Sequence, residues 1–477
     1  MSDVFKHQAV KGVVWSAIER FSVQGIQFVL SLVIARLVSP SDFGLIAMLG
    51  IFMAVAQTFV DSGFSNALIQ KKDRTEADFS TIFYFNIIVA VFVYGILYMS
   101  APYISRFYNE PLLKNICRWS GINIILNSLV LIQRTRLIIS LDFRGLAKVS
   151  LFSVIISGLI GIWLAWLGYG VWALVVQTLC ASSFYVILLW GWVSWIPKRV
   201  FSLQSFNELF SFGSKLLLGG LLHTIYMNLY TLVIGRFFNS MQVGYFSRAQ
   251  TLAVFPSMNF TEVVNRAMYP VLCERQDCEE RLVHIYLKYL RITAFCVFPL
   301  MIGLAVLSEP LIKVVLTEKW LPSAHLLSIL CIAYMWYPIM VFNWQLLNVK
   351  GRSDLSLRAE VVKKIVAFLI LFISVIWGID VICWGLLLYS LFDMIIIYYF
   401  VRKIYTYDFR KEIGVLLPIL FCSLLMGGCI FLCNCLLSNP FLQLIVGLIV
   451  GIISYLSFCF FGGIKEIDII KQIIKTR

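Results

Sequence analysis

The chain has 477 residues, 60% of them apolar and 13% charged, with a formal net charge of +14 and a mean hydropathy of +0.89. So apolar a composition excludes a soluble fold of ordinary surface area and leaves an integral membrane protein. The twelve cysteines lie mostly inside apolar runs, with no CxxC pair and no histidine at metal-ligand spacing; they read as packing residues, and no metal site is expected.

Apolar runs near 20 residues long, each enough to cross roughly 30 Å of hydrocarbon as a helix, follow one another along the chain. The expected spans are 12–37, 44–66, 80–101, 116–133, 149–168, 170–193, 211–236, 245–269, 289–308, 324–347, 365–379, 380–401, 412–436 and 440–461. The first carries Glu19 and Arg20 in its middle and lacks a small-residue cleavage site, so it reads as a span of the mature protein and not as a secretory signal. The eighth, around AVFPSMNFTEVVNRAMYP, is the most polar and should be shielded from lipid. A β-barrel would show short alternating strands instead.

With the N-terminus in the cytoplasm, the inner loops and tails hold 27 of the 39 lysines and arginines, Lys363 and Lys364 among them. The outer loops and rims hold six, Arg36, Arg106, Lys114, Arg236, Lys313 and Lys319, and the last six lie within spans or at their ends. This asymmetry is the positive-inside pattern, and it puts both termini in the cytoplasm. It also accounts for the net charge through contact with anionic membrane lipids, so a nucleic-acid partner is not expected. Every loop is short, leaving no room for an extracellular catalytic domain. There is no phosphate loop, HExxH motif or nucleophile elbow, so the chain is not expected to be an enzyme or to take a cofactor.

The stretch VIARLVSPSDFG, Val33 to Gly44, returns as VIGRFFNSMQVG, Val233 to Gly244, with Val-Ile, Arg and Gly in register 200 residues later. The displacement is six spans, an even number, so the two halves read as parallel repeats. GYGVWALV from Gly168 and GIDVICWGL from Gly378 loosely agree, each after a short outer turn. The fold expected is all-α: about 14 transmembrane helices, with two six-helix lobes at 1–200 and 201–405 around a central cavity, and two further helices in 406–477.

Ionisable groups deep in a bilayer cost about 2.5 to 3.5 kcal/mol each on insertion scales and need a wet cavity or a partner. On the first span Ser16, Arg20, Gln24, Gln27 and Ser31 fall within an arc of about 80° at roughly 100° per residue. On the seventh, Lys215, Gly219, His223, Tyr226 and Tyr230 repeat the same spacing. Two cationic, hydrogen-bonding faces suit an anionic, hydroxyl-rich ligand, whereas the plainer account is hydrogen bonding between helices. His223 reads more simply as a hydrogen-bonded core histidine than as a proton switch. On the eighth span Glu262 and Arg266 are spaced for an internal ion pair, beside Asn259 and Tyr269, and on the second Gln57 and Asp61 share a face. Glu19, Asp61 and Glu262 are the candidates for coupling to a proton or sodium gradient.

SPSDFGLIAM, DSGFSNALIQKKDRTEADFSTIFYFN, FYNEP, GYGVWALV, LFSFGSKLL, VGYFSRAQ and EKWLP together resemble the polysaccharide-transporter family of Wzx-type flippases. The likeness is to its colanic-acid-exporter-like branch, within the multidrug/oligosaccharidyl-lipid/polysaccharide superfamily. It runs over most of spans one to twelve; the last two match only as apolar helices. The resemblance implies a bacterial inner-membrane protein that moves an undecaprenyl-pyrophosphate-linked oligosaccharide to the outer leaflet for exopolysaccharide, capsule or O-antigen assembly, alongside a polysaccharide polymerase and synthesis enzymes. It implies basic residues as binders of the anionic head, a role that maps onto Arg20 and Lys215, helped by Arg248 and Arg266. Gln24, Gln27, Tyr226 and Tyr230 can bond sugar hydroxyls. The rival expectation is a cation-coupled small-molecule exporter of the same superfamily.

Overall fold

The computed structural model describes residues 22–61, 63–406 and 408–464, with side chains at all of these but 211, 212, 215 and 409. Among the described residues the regular structure is helical. The helices are α1 (Ser22–Leu37), α2 (Pro40–Asp61), α3 (Phe64–Gln70), α4 (Glu76–Tyr108), α5 (Leu113–Ile139), α6 (Phe143–Trp166), α7 (Val171–Trp192), α8 (Leu203–Phe237) and α9 (Ser240–Glu274). There follow α10 (Glu279–Val306), α11 (Ser308–Val315), α12 (Pro322–Tyr334), α13 (Tyr337–Val349), α14 (Ser353–Val375), α15 (Ile379–Val401), α16 (Phe409–Leu436) and α17 (Pro440–Phe461).

Among the described residues eleven stretches are long and apolar enough to cross a membrane, among them Pro40–Gln70, which joins α2 to α3, and Pro322–Val349, which joins α12 to α13. Three of the fourteen expected spans are not in that set. The described part of the first, Ser22–Leu37, is a shorter apolar helix. The other two are α9, as its polar sequence foretells, and α14, whose first half carries Asp354, Arg358, Glu360, Lys363 and Lys364. Lys363 and Lys364, assigned above to an inner loop, lie inside α14. Linear hydropathy stops a span at a Lys-Lys pair because it cannot see the acids that meet it.

The chain divides into two compact units, Met1–Gly244 and Tyr245–Arg477. In the first, α4 pairs with α5, α6 with α7, and α2 lies along α8. In the second, α14 pairs with α15, α16 with α17, and α10 carries α16, α12 and α13.

The local signals that shape these helices are ordinary ones. Thr75 and Asp78 form a reciprocal capping box at the start of α4, and Asn109 ends that helix in the left-handed region. The turn into α7 needs positive φ at Gly168 (84°) and Gly170 (54°), and the turn into α15 needs it at Gly378 (111°), so the two loosely matching glycine turns also share a backbone requirement.

The repeated corner is the same structure twice. Val38 N–H and Phe238 N–H each donate to a carbonyl four residues back, Ile34 and Ile234, at 2.9 Å. Ser39 Oγ accepts from Asp42 N–H at 3.2 Å, and Asn239 Oδ1 accepts from Gln242 N–H at 2.9 Å, so positions 39 and 239 are both side-chain caps. The two corners also meet. A Cβ on Gly44 would run into the Ser240 carbonyl, and one on Gly244 into the Pro40 carbonyl, while Ser41 Oγ and Ser240 Oγ share a hydrogen bond of 2.8 Å.

From this crossing α2 and α8 run antiparallel along a seam of small residues. Gly235 has room only for Met48 and Tyr108, Gly50 faces Asn228, Gly220 faces Thr58, and Gly63 lies on Gly213. Thr58 and Thr224 share a hydrogen bond of 3.1 Å across it. Such close backbone approach is how helices associate where no hydrophobic drive separates them from lipid.

Gly44→Val or Gly244→Val should therefore destabilise the first unit by about 3 kcal/mol or more, since backbone and not a flexible side chain must yield. Gly95→Ala, where an added Cβ meets nothing within 4 Å, is the control, and helix propensity favours it by about 0.5 to 1 kcal/mol. Thermal unfolding in detergent checks both; equal melting temperatures for Gly44→Val and wild type would contradict the crossing.

Candidate functional site

In the first unit α2 and α8 carry polar groups on the faces beside their seam. The α2-facing residues of α8 are Gly213, Leu216, Gly220, Thr224 and Asn228. The expected stripe of Lys215, Gly219 and His223 is displaced from these by one residue, about 100° around the helix. Gly219 accordingly has nothing within 4 Å of a Cβ position. His223 is exposed, not a core histidine, because the packing side of α8 is the neighbouring face. Tyr226 is half-buried and Tyr230 is 7% exposed. Lys215 stands on α8 one turn before Gly219, and its side chain lies outside the described residues, as do Glu19 and Arg20.

On α1 Gln24 is half-buried and Gln27 exposed, and Ser31 satisfies itself by donating to Phe28 O at 2.7 Å. The helix packs by Leu30 against Gly158 of α6, and by Ile34 and Val38 against Ala165, Ala173 and Leu174.

A chain of hydrogen bonds links α2, α5 and α7. Gln57 Nε2 donates to Asp61 Oδ1 at 2.9 Å, Asn127 Nδ2 donates to Gln57 Oε1 at 3.0 Å, and Ser182 Oγ donates to Asn127 Oδ1 at 3.5 Å. Asp61 therefore meets Gln57, the residue with which it shares a face of its own helix. Asn127 and Ser182 are absent from the sequence-based set because each sits beside a single serine in an apolar run, with no polar stripe at helical spacing singled out there, and only the packing of three helices makes them a network. Gln24 Oε1 and Asn123 Oδ1, the latter one turn from Asn127 on α5, are enclosed acceptors without a hydrogen-bond donor among the described residues.

At the end of this unit that the charge pattern expects in the cytoplasm, Lys71 Nζ meets Asp78 and Glu208, each at 3.0 Å. Burial works against the Lys71 charge, but the bonds to Glu208 and Asp78 outweigh it and hold the ammonium above the usual lysine range. Arg136 meets Glu76 at 3.0 Å, and Trp195 Nε1 donates to the same carboxylate at 2.7 Å.

In the second unit, Arg248 is 6% exposed, with its guanidinium 5.6 Å from the centre of the Trp320 ring, so it is packed into that unit. Arg266 Nε and Glu262 Oε1 form the expected i, i+4 ion pair at 3.1 Å, with both side chains about half exposed. Gln250 donates to Tyr334 Oη at 3.0 Å and Ser257 to Tyr334 O at 2.7 Å, fixing α9 against α12. Lys363 Nζ lies 3.0 Å from Asp393 on α15 and 3.1 Å from Glu360, a buried pair split between two helices and so invisible to spacing. Among the described residues, no three His, Cys, Asp or Glu side chains gather as a metal site.

The exposed Glu262–Arg266 pair should contribute less than about 1 kcal/mol, so Glu262→Gln is expected to unfold near the wild-type temperature. Gln57→Leu should cost about 1 to 3 kcal/mol, because it strands polar groups of Asn127 and Asp61. Calorimetry in one detergent decides; a large loss for Glu262→Gln would show the pair to be structural.

The sequence model of a family described as "Polysaccharide biosynthesis protein" matches residues 33–325. The chain is 28% identical over 352 residues to the teichuronic acid biosynthesis protein TuaB of Bacillus subtilis (strain 168), covering 73% of each. It is 24% identical over 382 residues to the lipopolysaccharide biosynthesis protein WzxC of Escherichia coli (strain K12), covering 75% of this chain and 73% of that one. Among solved structures, lipid II flippase MurJ in an inward closed conformation superposes with a TM-score of 0.77 at 16% identity, over 94% of this chain and 98% of that one. An inward-facing multidrug resistance MATE family transporter of the MOP superfamily gives 0.60 at 16% identity, over 81% and 97%.

Proposed function

Because the chain belongs to the polysaccharide biosynthesis protein family, polysaccharide transporters of the MOP superfamily, we propose that it is a flippase for a lipid-linked oligosaccharide. In this reading it carries an undecaprenyl-pyrophosphate-linked glycan from the cytoplasmic to the outer leaflet of the bacterial inner membrane by alternating access. It acts by transport and not by catalysis, with both termini cytoplasmic, and hands its substrate to a polymerase for surface polysaccharide assembly.

The observation that carries the reading is the chemistry bordering the α2/α8 seam: amides, hydroxyls and phenols on otherwise apolar helices, with Asp61 already hydrogen-bonded to Gln57. Glycan hydroxyls are donors as well as acceptors, and the enclosed acceptors Gln24 Oε1 and Asn123 Oδ1 are suited to them. In this reading Gln27, His223, Tyr226 and Tyr230 offer further hydrogen bonds to the glycan. Arg20 and Lys215 neutralise the pyrophosphate, Arg20 with the planar fork that favours two oxygens at once. Arg266, half exposed, is a second-unit contact, whereas Arg248 is committed to Trp320.

The driving force follows from charge. Moving an anion outward across an inside-negative membrane is favourable by about 2.3 kcal/mol per charge per 100 mV, so a dianionic head can be driven by the potential, without an obligatory coupling ion.

Deleting the gene in its native host, then complementing with wild type, Arg20→Ala or Lys215→Ala, tests the reading. The expected outcome is loss of surface polymer with precursor trapped on the cytoplasmic leaflet, restored by wild type and at least tenfold less well by stably expressed alanine variants. Precursor reaching the outer leaflet normally in the deletion strain would reject it and favour a small-molecule exporter.

A further inference from the structure

The second unit carries a basic face that the transport reading does not use. Around α10, at roughly 100° per residue, Arg281, His284, Lys288 and Arg291 fall within an arc of about 80°. Leu282, Val283, Tyr286, Leu290 and Ala294, on the opposite side of the helix, are buried and pack it into its unit. That packing turns the basic residues outward: Arg281, His284 and Lys288 are exposed and Arg291 is half-buried.

The stripe begins at a cavity. The chain reverses between α9 and α10 within Arg275 to Cys278, where Cys278 N–H donates to Arg275 O at 3.2 Å. Lys350, at the end of α13, holds this turn by donating Nζ to Gln276 O at 2.6 Å. Arg275 is thereby set beside the first turns of α10, where it lines a cavity of about 410 Å³ with Glu280, Arg281, His284 and Ile285. Glu279 belongs to the other side of the helix and accepts from Thr406 Oγ1 at 2.9 Å. The cavity wall thus has two guanidiniums and an imidazole against the single carboxylate of Glu280. Among the described residues Arg275, Arg281 and Lys288 have no ion-pair partner, in contrast with Lys71 and Arg136 of the first unit.

Two guanidinium forks at one cavity match the oxygens of a phosphate, and the imidazole adds an N–H donor in either protonation state. Glu280 repels a bare phosphate but accepts from an ammonium or a hydroxyl carried beside one. The depth of the cavity also suits a lipid head. The 28 residues of α10 rise about 42 Å, of which hydrocarbon takes up roughly 30 Å, so the first turns stand in the headgroup layer.

We propose that the cavity between the α9–α10 turn and α10 is a phospholipid site. Arg275, Arg281 and His284 hold the phosphate diester, and Glu280 accepts from the ammonium or hydroxyl at the tip of the head. The site does not depend on the flippase reading.

Native mass spectrometry of the full-length protein, titrated with phosphatidylethanolamine, phosphatidylglycerol or phosphatidylcholine, reads the binding directly. Phosphatidylcholine carries the same phosphate diester but neither N–H nor O–H at its tip, so wild type should bind it about fivefold more weakly than the other two. The double variant Arg275→Gln/Arg281→Gln should bind its first lipid about tenfold more weakly than wild type. Glu280→Gln should lose most of the discrimination against phosphatidylcholine. Lys411→Gln, which removes an exposed charge of α16 outside the cavity, should bind as wild type does.

Equal affinities for wild type and the double variant overturn the proposal. So does a loss in Lys411→Gln as large as in Arg281→Gln, which would show that net charge and not the cavity gathers lipid. Inorganic phosphate separates the two sources of the anion: phosphate that displaces the lipid at equal concentration would assign a soluble anion and overturn the lipid. Where the double variant fails to fold, Arg281→Lys keeps the charge and loses the fork, and unchanged lipid affinity in that variant overturns the site.

Discussion

The crossing of two helix starts at Gly44 and Gly244 is the constraint from which the first unit follows. Each glycine lies where the other corner's backbone carbonyl leaves no space for a Cβ. That contact is reciprocal, residue 40 against 244 and 44 against 240, as two copies of one motif facing each other across a local two-fold require. A corner written once could meet only a different surface. Written twice, it makes a self-complementary joint, the same economy that symmetric subunit interfaces use.

From the joint the α2/α8 seam is laid down by glycines at positions that face each other, and the seam decides where polar groups can go. Residues in the seam must be small or mutually bonded, as Thr58 and Thr224 are. The faces on either side are released from that demand. On α2 this frees Gln57 and Asp61 to join Asn127 of α5; on α8 it frees the stripe through Lys215, Gly219 and His223. A polar face thus arises beside a tight helix contact without loosening it, which is what a transporter needs if its lining is to bind without its wall giving way.

Much of this was legible in the sequence because it is periodic or repeated. The 200-residue offset was read from Val-Ile, Arg and Gly in register, and the two glycines are held by a close backbone approach that leaves no space for a side chain, whereas the caps Ser39 and Asn239 differ in residue type and emerge only in the structure. The Glu262–Arg266 pair was legible because both partners ride on one helix. Lys363 was not, since its partner Asp393 is on another helix and charge alone sends a lysine to a loop. The polar chain through Asn127 and Ser182 was hidden for the same reason. His223 was misplaced by one face, because periodicity gives a helix its sides and only the glycine seam says which side is packed.

Two of the charged pairs of the second unit solve one problem in different ways. Lys363 and Asp393 bury opposite charges together, which locks α14 to α15 but leaves little freedom, because parting them would strand both. Glu262 and Arg266 keep theirs half exposed, at small cost and with small effect.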